Sequence, residues 1–119
     1  MSGRSDVKAV TITADTVALD ADGISVAAAV GNNAALVIGG ALASGGAVAL
    51  SHGRVVTILS AGNDAAKSFT VTGTDVNGDS QTESITGANA GTATGTKFFK
   101  TISGISAVGN PAGNVSAGV

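Results

Sequence analysis

The sequence predicts an all-β domain of about seven to nine short antiparallel strands, arranged as a sandwich or barrel. Two observations support this class. Apolar residues recur mostly with a period of two, as in half-buried strands, whereas helical periodicity is weak. Turn-forming groups such as Gly31-Asn32-Asn33 separate these segments at short intervals. No repeat of fixed period is present, which argues against a solenoid.

The first half of the chain contains several segments with strand patterns. Within the segment Val7–Thr13, Val10 and Ile12 share one face. Ile24, Val26, Ala28 and Val30 alternate in the same way. Short strands are expected at 35–38 and 47–50, around the glycine pairs 39–40 and 45–46. The β-branched run GRVVTILS at 53–60 predicts one strand that is buried on both faces.

An uncharged stretch from Gly23 to Ser51 has two interpretations. Its glycine pairs favour buried strands joined by tight turns. The alternative is a membrane segment, but a spanning helix needs about 20 predominantly apolar residues. Alanine and glycine also provide only a weak drive for insertion. We therefore expect no membrane partner.

A β-hairpin is predicted from Phe69 onward, with its turn at Asn77-Gly78. A two-residue loop would place Val71 opposite Ser84 and scatter the apolar residues over both faces. A three-residue loop would pair Val71 with Ile85 and Phe69 with Gly87, which keeps them on one face. We expect the odd loop, with residue 78 or 79 in the left-handed conformation.

The last third of the chain begins with a Gly/Ala/Thr loop at 88–96 and continues with a strand at 96–103. Residues 104–108 are expected to extend this strand past a bulge, and the final residues form a further short strand. Phe98 and Phe99 are adjacent and therefore face opposite sides of that strand. Either one ring fills the core and the other is an interface anchor, or the strand is buried on both faces.

The composition argues against catalysis. There is no cysteine, and His52 and Glu83 are the only histidine and glutamate. We predict no enzyme, no cofactor, no metal site and no small-molecule substrate. Asp75, Asn77 and Asp79 have the spacing of the first ligands in a calcium loop, but the later positions do not match. A turn is the favoured interpretation, with weak calcium binding as the alternative.

Charge and size indicate what kind of partner the chain has. Charged residues form 12% of the sequence and the net charge is −2, so no basic stripe is available for nucleic acid. The N-terminus lacks the apolar core of a secretory signal, and we expect the chain to stay in its cell or to leave by lysis or assembly. Aromatic residues form only 3% of the chain, and there are 18 glycines. Burial by small side chains gives a modestly stable monomer, which predicts self-association or docking on a partner.

The run FTVTGTDVNGDSQTESITGANAGTATGTKFFKTISGI, together with SAGND at 60–64 and AGNVSAG at 112–118, resembles small virion proteins of tailed bacteriophages. The similarity covers about the last half of the chain and is greatest to head decoration (cement) proteins. It implies a β-sandwich or jelly-roll-like subunit that forms homodimers or homotrimers. Such a subunit clamps the major capsid protein from outside, so its location is the outer head surface of the virion, after assembly in the host cytoplasm. No catalytic residue is implied.

The remaining expectations concern the domain organisation, the interface residues and an alternative function. Residues 1–14 form an N-terminal arm or edge strand, and residues 15–119 form a single β domain. Phe98, Phe99, Val10 and Ile12 are the candidate interface residues. A tail, fibre or baseplate accessory protein is the alternative function.

Overall fold

The computed structural model describes residues 20–119, which form an all-β domain with no helix in that range. The prediction of an all-β fold is confirmed. Its nine strands are β1 (Ser25–Ala29), β2 (Ala43–Ser44), β3 (Ala47–Arg54), β4 (Thr57–Ser60), β5 (Ser68–Thr74), β6 (Ser80–Thr86), β7 (Thr92–Thr94), β8 (Phe99–Val108) and β9 (Asn114–Gly118).

The strands form two antiparallel sheets. One has four strands in the order β1-β9-β4-β7, and the other has five in the order β2-β3-β8-β5-β6. Residues of both sheets contribute to one hydrophobic core, with Ile58 and Val115 from the first and Phe69 and Ile102 from the second. This sharing of one core is the defining feature of a β-sandwich.

The chain changes sheets between β3 and β4. Arg54 pairs with Phe99 in the five-stranded sheet, whereas Thr57 pairs with Gly118 in the four-stranded sheet. The predicted single strand at 53–60 is therefore wrong, as is its burial on both faces, because Ile58 is buried and Leu59 is exposed. A β-branched run indicates extended backbone but carries no signal for a corner, which depends on where each half finds its partners.

The hairpin of β5 and β6 has an odd loop, as predicted, but the loop contains five residues. Phe69 pairs with Ile85 and Val71 with Glu83, so the expected Val71–Ile85 pair is wrong by two positions. A shift of two preserves the face of every side chain, and Phe69, Val71 and Ile85 are all buried.

The side chain of Asp75 explains the longer loop. Its Oδ1 accepts hydrogen bonds from the amides of Asn77 (2.8 Å) and Asp79 (3.0 Å). These bonds organise residues 75–79 as a turn, so the ladder ends at the pair formed by Thr74 and Ser80. Gly78 has a φ of 86°, which confirms the expected left-handed position.

Strand β8 contains the predicted bulge. Thr72 pairs with Gly104 and Gly73 with Ile102, so Ser103 is the extra residue. Gly73 is needed here, because a Cβ at this position would overlap the carbonyl oxygen of Thr101. The expected final strand is also confirmed as β9, which lies between β1 and β4 inside the four-stranded sheet.

The region before β3 is less regular than predicted. Of the strand expected at 35–38, only Ala35 forms a bridge, to Ser106, whereas Val37 is 78% exposed. Gly45 and Gly46 both have positive φ and form the tight turn between β2 and β3. Within residues 20–119, no helix is long and apolar enough to span a bilayer. The predicted N-terminal arm lies outside the described residues.

Candidate interaction surface

Exposed apolar side chains are the most distinctive feature of the surface formed by residues 20–119. The large ones are Val26, Val37, Leu59, Val76, Phe98 and Val108, with exposed fractions between 38% and 78%. Two of them, Phe98 and Val76, lie next to each other over the backbone of Gly53. We refer to these three residues as the Phe98–Val76 patch.

Gly53 allows this arrangement because it lacks a side chain. A Cβ at Gly53 would lie 2.6 Å from Val76 Cγ1 and 3.1 Å from Phe98 Cβ. Any larger residue would therefore push both side chains away. Phe98 and Val76 remain 59% and 56% exposed even though they contact the strand below them. The patch is thus an apolar surface supported from beneath by β3.

Strand β6 holds the segment that carries Phe98. Glu83 Oε2 accepts hydrogen bonds from the amide (2.7 Å) and hydroxyl (3.0 Å) of Thr96. Gln81 Nε2 donates to the carbonyl oxygen of Phe98 at 2.6 Å, and Lys97 Nζ donates to the carbonyl oxygen of Thr82 at 2.9 Å. These bonds fix the backbone on which the exposed ring is mounted, which lowers the entropy cost of using that ring in binding.

The two adjacent phenylalanines have different environments. Phe99 is fully buried in the core, whereas Phe98 is exposed. This is the first of the two arrangements that alternation allowed, and it leaves Phe98 as the ring able to contact a partner. Val10 and Ile12, the other candidate interface residues, lie outside the described residues.

A groove lined by hydroxyl groups adjoins the patch. It has a volume of about 330 Å³ and is formed mainly by Thr and Ser side chains of β5, β6 and β8. The groove reaches Thr74 and Thr101, which lie two residues from Val76 and three residues from Phe98 in the chain, so it is close to the patch. An apolar centre bordered by polar groups is typical of protein–protein interfaces.

The residues considered for chemistry occupy separate places. Ser51 Oγ lies 3.1 Å from Nδ1 of its neighbour His52 in an exposed part of β3. Asp75 serves the hairpin turn, and Glu83 binds Thr96. Residues 20–119 contain no group of three or more His, Asp or Glu side chains placed to hold a metal ion.

Asp64 is buried and connects three loops. Its Oδ1 accepts a hydrogen bond from the amide of Ala112 at 2.7 Å, and its own amide donates to Ala88 at 2.9 Å. Gly87 makes this approach possible, because a Cβ there would lie 2.5 Å from the Asp64 carbonyl oxygen. Asp64 Oδ2 has no partner within the described structure. Asp64 therefore holds these loops together.

Asp20 and Asp22 form a pair of carboxyl groups in the turn before β1. A hydrogen bond between the two side chains raises the pKa of Asp22 above its ordinary value of 3.8, with desolvation and the charge of Asp20 adding to the effect. Asp22 is exposed and Asp20 is half-buried, so this is a local feature of the turn.

The sequence pattern missed the support of Phe98 by β6, although a signal was present. Gln81 and Glu83 lie four and two residues before Ile85 in β6. Because side chains alternate along a strand, they point to the same face as this buried residue. Polar side chains on this face need hydrogen-bond partners, and the backbone of residues 96–98 provides them. Val76 was missed because its approach to Phe98 depends on the fold.

The fold and this surface define a small all-β domain with a supported, exposed aromatic residue. Comparisons of the chain with protein-family models, with curated proteins and with solved structures return no match.

Proposed function

We propose that this protein is a head decoration (cement) protein of a tailed bacteriophage, without enzymatic activity, which binds the outer capsid surface and stabilises the shell. The observation that supports attachment to a capsid is the Phe98–Val76 patch, an apolar surface on a rigid support. The phage assignment comes from the resemblance of the last half of the sequence to virion proteins. Its partners are the major capsid protein and further copies of itself.

The patch suits binding by a structural protein. Buried aromatic anchors contribute a large share of the binding energy at protein interfaces, often 2 kcal/mol or more for one residue. Phe98 is held by backbone contacts with Gln81 and by Gly53 below it, so little ordering is needed when it docks. The groove beside it supplies hydroxyl groups for the polar margin of the contact.

Symmetry would multiply a modest contact. A single patch with one exposed ring provides a small apolar area, which is consistent with weak binding of one subunit. An oligomer that presents several patches to a symmetric shell binds through all of them together, and its avidity exceeds the affinity of each contact. A decoration protein of this kind stabilises the shell because each oligomer joins several capsid subunits.

The test is binding to heads of the phage that encodes the chain. Purified protein is added to empty procapsids and to expanded heads, and the bound fraction is measured by sedimentation. We expect saturable binding to heads at a fixed ratio to the major capsid protein. The variant Phe98→Ser should bind at least about tenfold more weakly, since each 1.4 kcal/mol lost is a factor of ten.

Two valines provide a matched comparison. Val76→Ser removes apolar surface inside the patch, whereas Val37→Ser removes the same side chain from the 30–42 connection, where it is 78% exposed. Only the first change should weaken binding. Equal binding by Phe98→Ser and the unchanged protein would reject the patch as the contact. Absence of binding to heads, with binding to isolated tails, would instead support a tail or baseplate accessory protein.

A further inference from the structure

The edge strands of the two sheets differ in how they are protected from pairing with another chain. Exposed edge strands are sites for unwanted pairing, and natural proteins shorten, charge or cover them. Within residues 20–119, the edge strands β2 and β7 have only two and three residues. Strand β6 is longer, but it contains Glu83, and Lys97 Nζ binds the carbonyl oxygen of Thr82 along it. These three edges are short or covered.

Strand β1 has none of these protections. It runs Ser25–Ala29 with the sequence SVAAA, which has no charge and no proline. Within the described structure it pairs only with β9, and residues 26–29 are exposed. Val26 alone is 55% exposed. An uncharged, apolar edge of five residues is a good template for an added strand.

We propose that the outer edge of β1 accepts residues 7–13 of a second copy of this chain as an added strand. This segment, VKAVTIT, has the alternation of a strand and is seven residues long, enough to cover all of β1. Val10 and Ile12 on one of its faces would extend the apolar surface that begins with Val26. The protein would then associate with itself by exchanging N-terminal arms.

The start of the described chain favours an arm from a second copy over the chain's own arm. Asp20 forms two backbone hydrogen bonds with Val119, of 3.0 and 3.1 Å, at the end of β9. The amides of Gly39 and Gly40 bind the carbonyl oxygen of Ile24, so the 39–42 loop occupies the edge just before β1. A segment leading directly from Asp20 would have to pass around this loop. A segment from another copy approaches the open part of the edge freely.

The first measurement is the mass of the full-length protein by sedimentation equilibrium, compared with a variant that lacks residues 1–14. We expect an oligomer that dissociates when the arm is removed. Ala27→Lys places a charge on the free edge, and it should weaken association at least about tenfold, the equivalent of one or two backbone hydrogen bonds. Thr92→Lys on β7 places the same charge on the opposite edge of the same sheet and should leave association unchanged. Far-UV circular dichroism verifies that both variants fold.

The second measurement identifies the occupant of the edge. The chain has no cysteine, so introduced thiols report without background. A variant with Ile12→Cys is mixed with variants carrying Val26→Cys, Ala27→Cys or Ala28→Cys, and disulfides are formed under mild oxidation. We expect a disulfide between two different chains for at least one pair. Ile12→Cys mixed with Thr92→Cys is the control and should give at least about tenfold less.

Three results would overturn the proposal. A full-length protein that is monomeric at all concentrations would exclude exchange. A variant that carries both Ile12→Cys and one of the β1 cysteines provides the comparison. A disulfide that forms only within this double variant, and never between two single variants, would mean that each arm covers its own edge. An oligomer that survives removal of residues 1–14 and is linked through Ala27→Cys alone would mean that two β1 edges pair directly. These measurements use the isolated protein, so their outcome does not depend on whether it binds a capsid.

Discussion

The substitution Gly73→Ala tests the packing of the five-stranded sheet most directly. A Cβ at Gly73 would overlap the carbonyl oxygen of Thr101 and lie 3.0 Å from the Cα of Ile102. Both neighbours are backbone atoms of β8, so no side-chain rotation relieves the overlap. The two strands must separate locally at the bulge where Gly73 pairs with Ile102.

The expected cost of Gly73→Ala has two parts. Overpacking in a closely packed region costs about 1–3 kcal/mol. Weakening one ladder hydrogen bond adds about 1 kcal/mol. The free energy of unfolding should therefore fall by about 2–4 kcal/mol, a large share of the 5–15 kcal/mol that is typical of folded domains.

Gly104→Ala provides a matched control on the facing strand. Gly104 pairs with Thr72, one position away in the same ladder, and a Cβ there would meet nothing within 4 Å. Its φ is not in the left-handed region. Alanine at a compatible site restricts the unfolded chain and stabilises by about 0.4–1 kcal/mol. The same substitution should thus have opposite effects at two neighbouring positions.

The assay is equilibrium unfolding in urea, followed by far-UV circular dichroism because the chain has no tryptophan or tyrosine. All variants are compared at one protein concentration, since association would shift the apparent stability. We expect the midpoint of Gly73→Ala to fall by about 1–2 M urea, taking a slope of about 2 kcal/mol per M. Equal midpoints for Gly73→Ala and Gly104→Ala would refute the close approach of β5 and β8.

Four further predictions concern carboxyl groups. Glu83→Ala leaves the amide of Thr96 without its acceptor and should destabilise by about 1–3 kcal/mol; unchanged hydrogen exchange at that amide would contradict this. Asp75→Ala removes the acceptor of two loop amides and should cost about 1–2 kcal/mol. Titration of the unchanged protein with calcium should give no heat of binding in a calorimeter. A heat of binding that is lost in Asp75→Ala would instead favour a calcium loop. NMR titration of Asp22 should give a pKa above 3.8, because the side chain of Asp20 forms a hydrogen bond with the Asp22 carboxyl group. The folded state then holds this proton more tightly, so the stabilisation is complete below pH 3.8 and is lost as pH rises through the raised pKa. A loss of stability on going from pH 5 to pH 3 at this group, relative to Asp22→Asn, would contradict the assignment.

Local patterns were sufficient for much of the hairpin and for several turns. The alternation of Phe69 and Val71, with Asn77-Gly78 after them, indicated both the odd loop and the face that is buried. The exact pairs were wrong because Asp75 binds two loop amides, and this choice between loops of three and five residues depends on side-chain geometry. The face to which each side chain points follows from sequence spacing. The register of the two strands also depends on which turn is more stable.

The candidate site was predictable only in part. Adjacent Phe98 and Phe99 were expected to face opposite sides, but the sequence left open whether one ring is exposed or the strand is buried on both faces. Which ring was exposed, and its position beside Val76 over Gly53, required the packing of three separate segments.

The sequence by itself determined the all-β class, the tight turn at Gly45-Gly46 and the bulge in β8, because each depends on side-chain spacing or backbone freedom within a few residues. Only the tertiary structure decided that the run at 53–60 is divided between two sheets and that β1 pairs with β9 alone among residues 20–119. It also brought Glu83 and Gln81 to the backbone of the Phe98 segment. These features depend on contacts between distant parts of the chain, where several strands of similar composition compete for the same neighbours. A period-two pattern marks a strand, but it carries no information about which strand lies beside it.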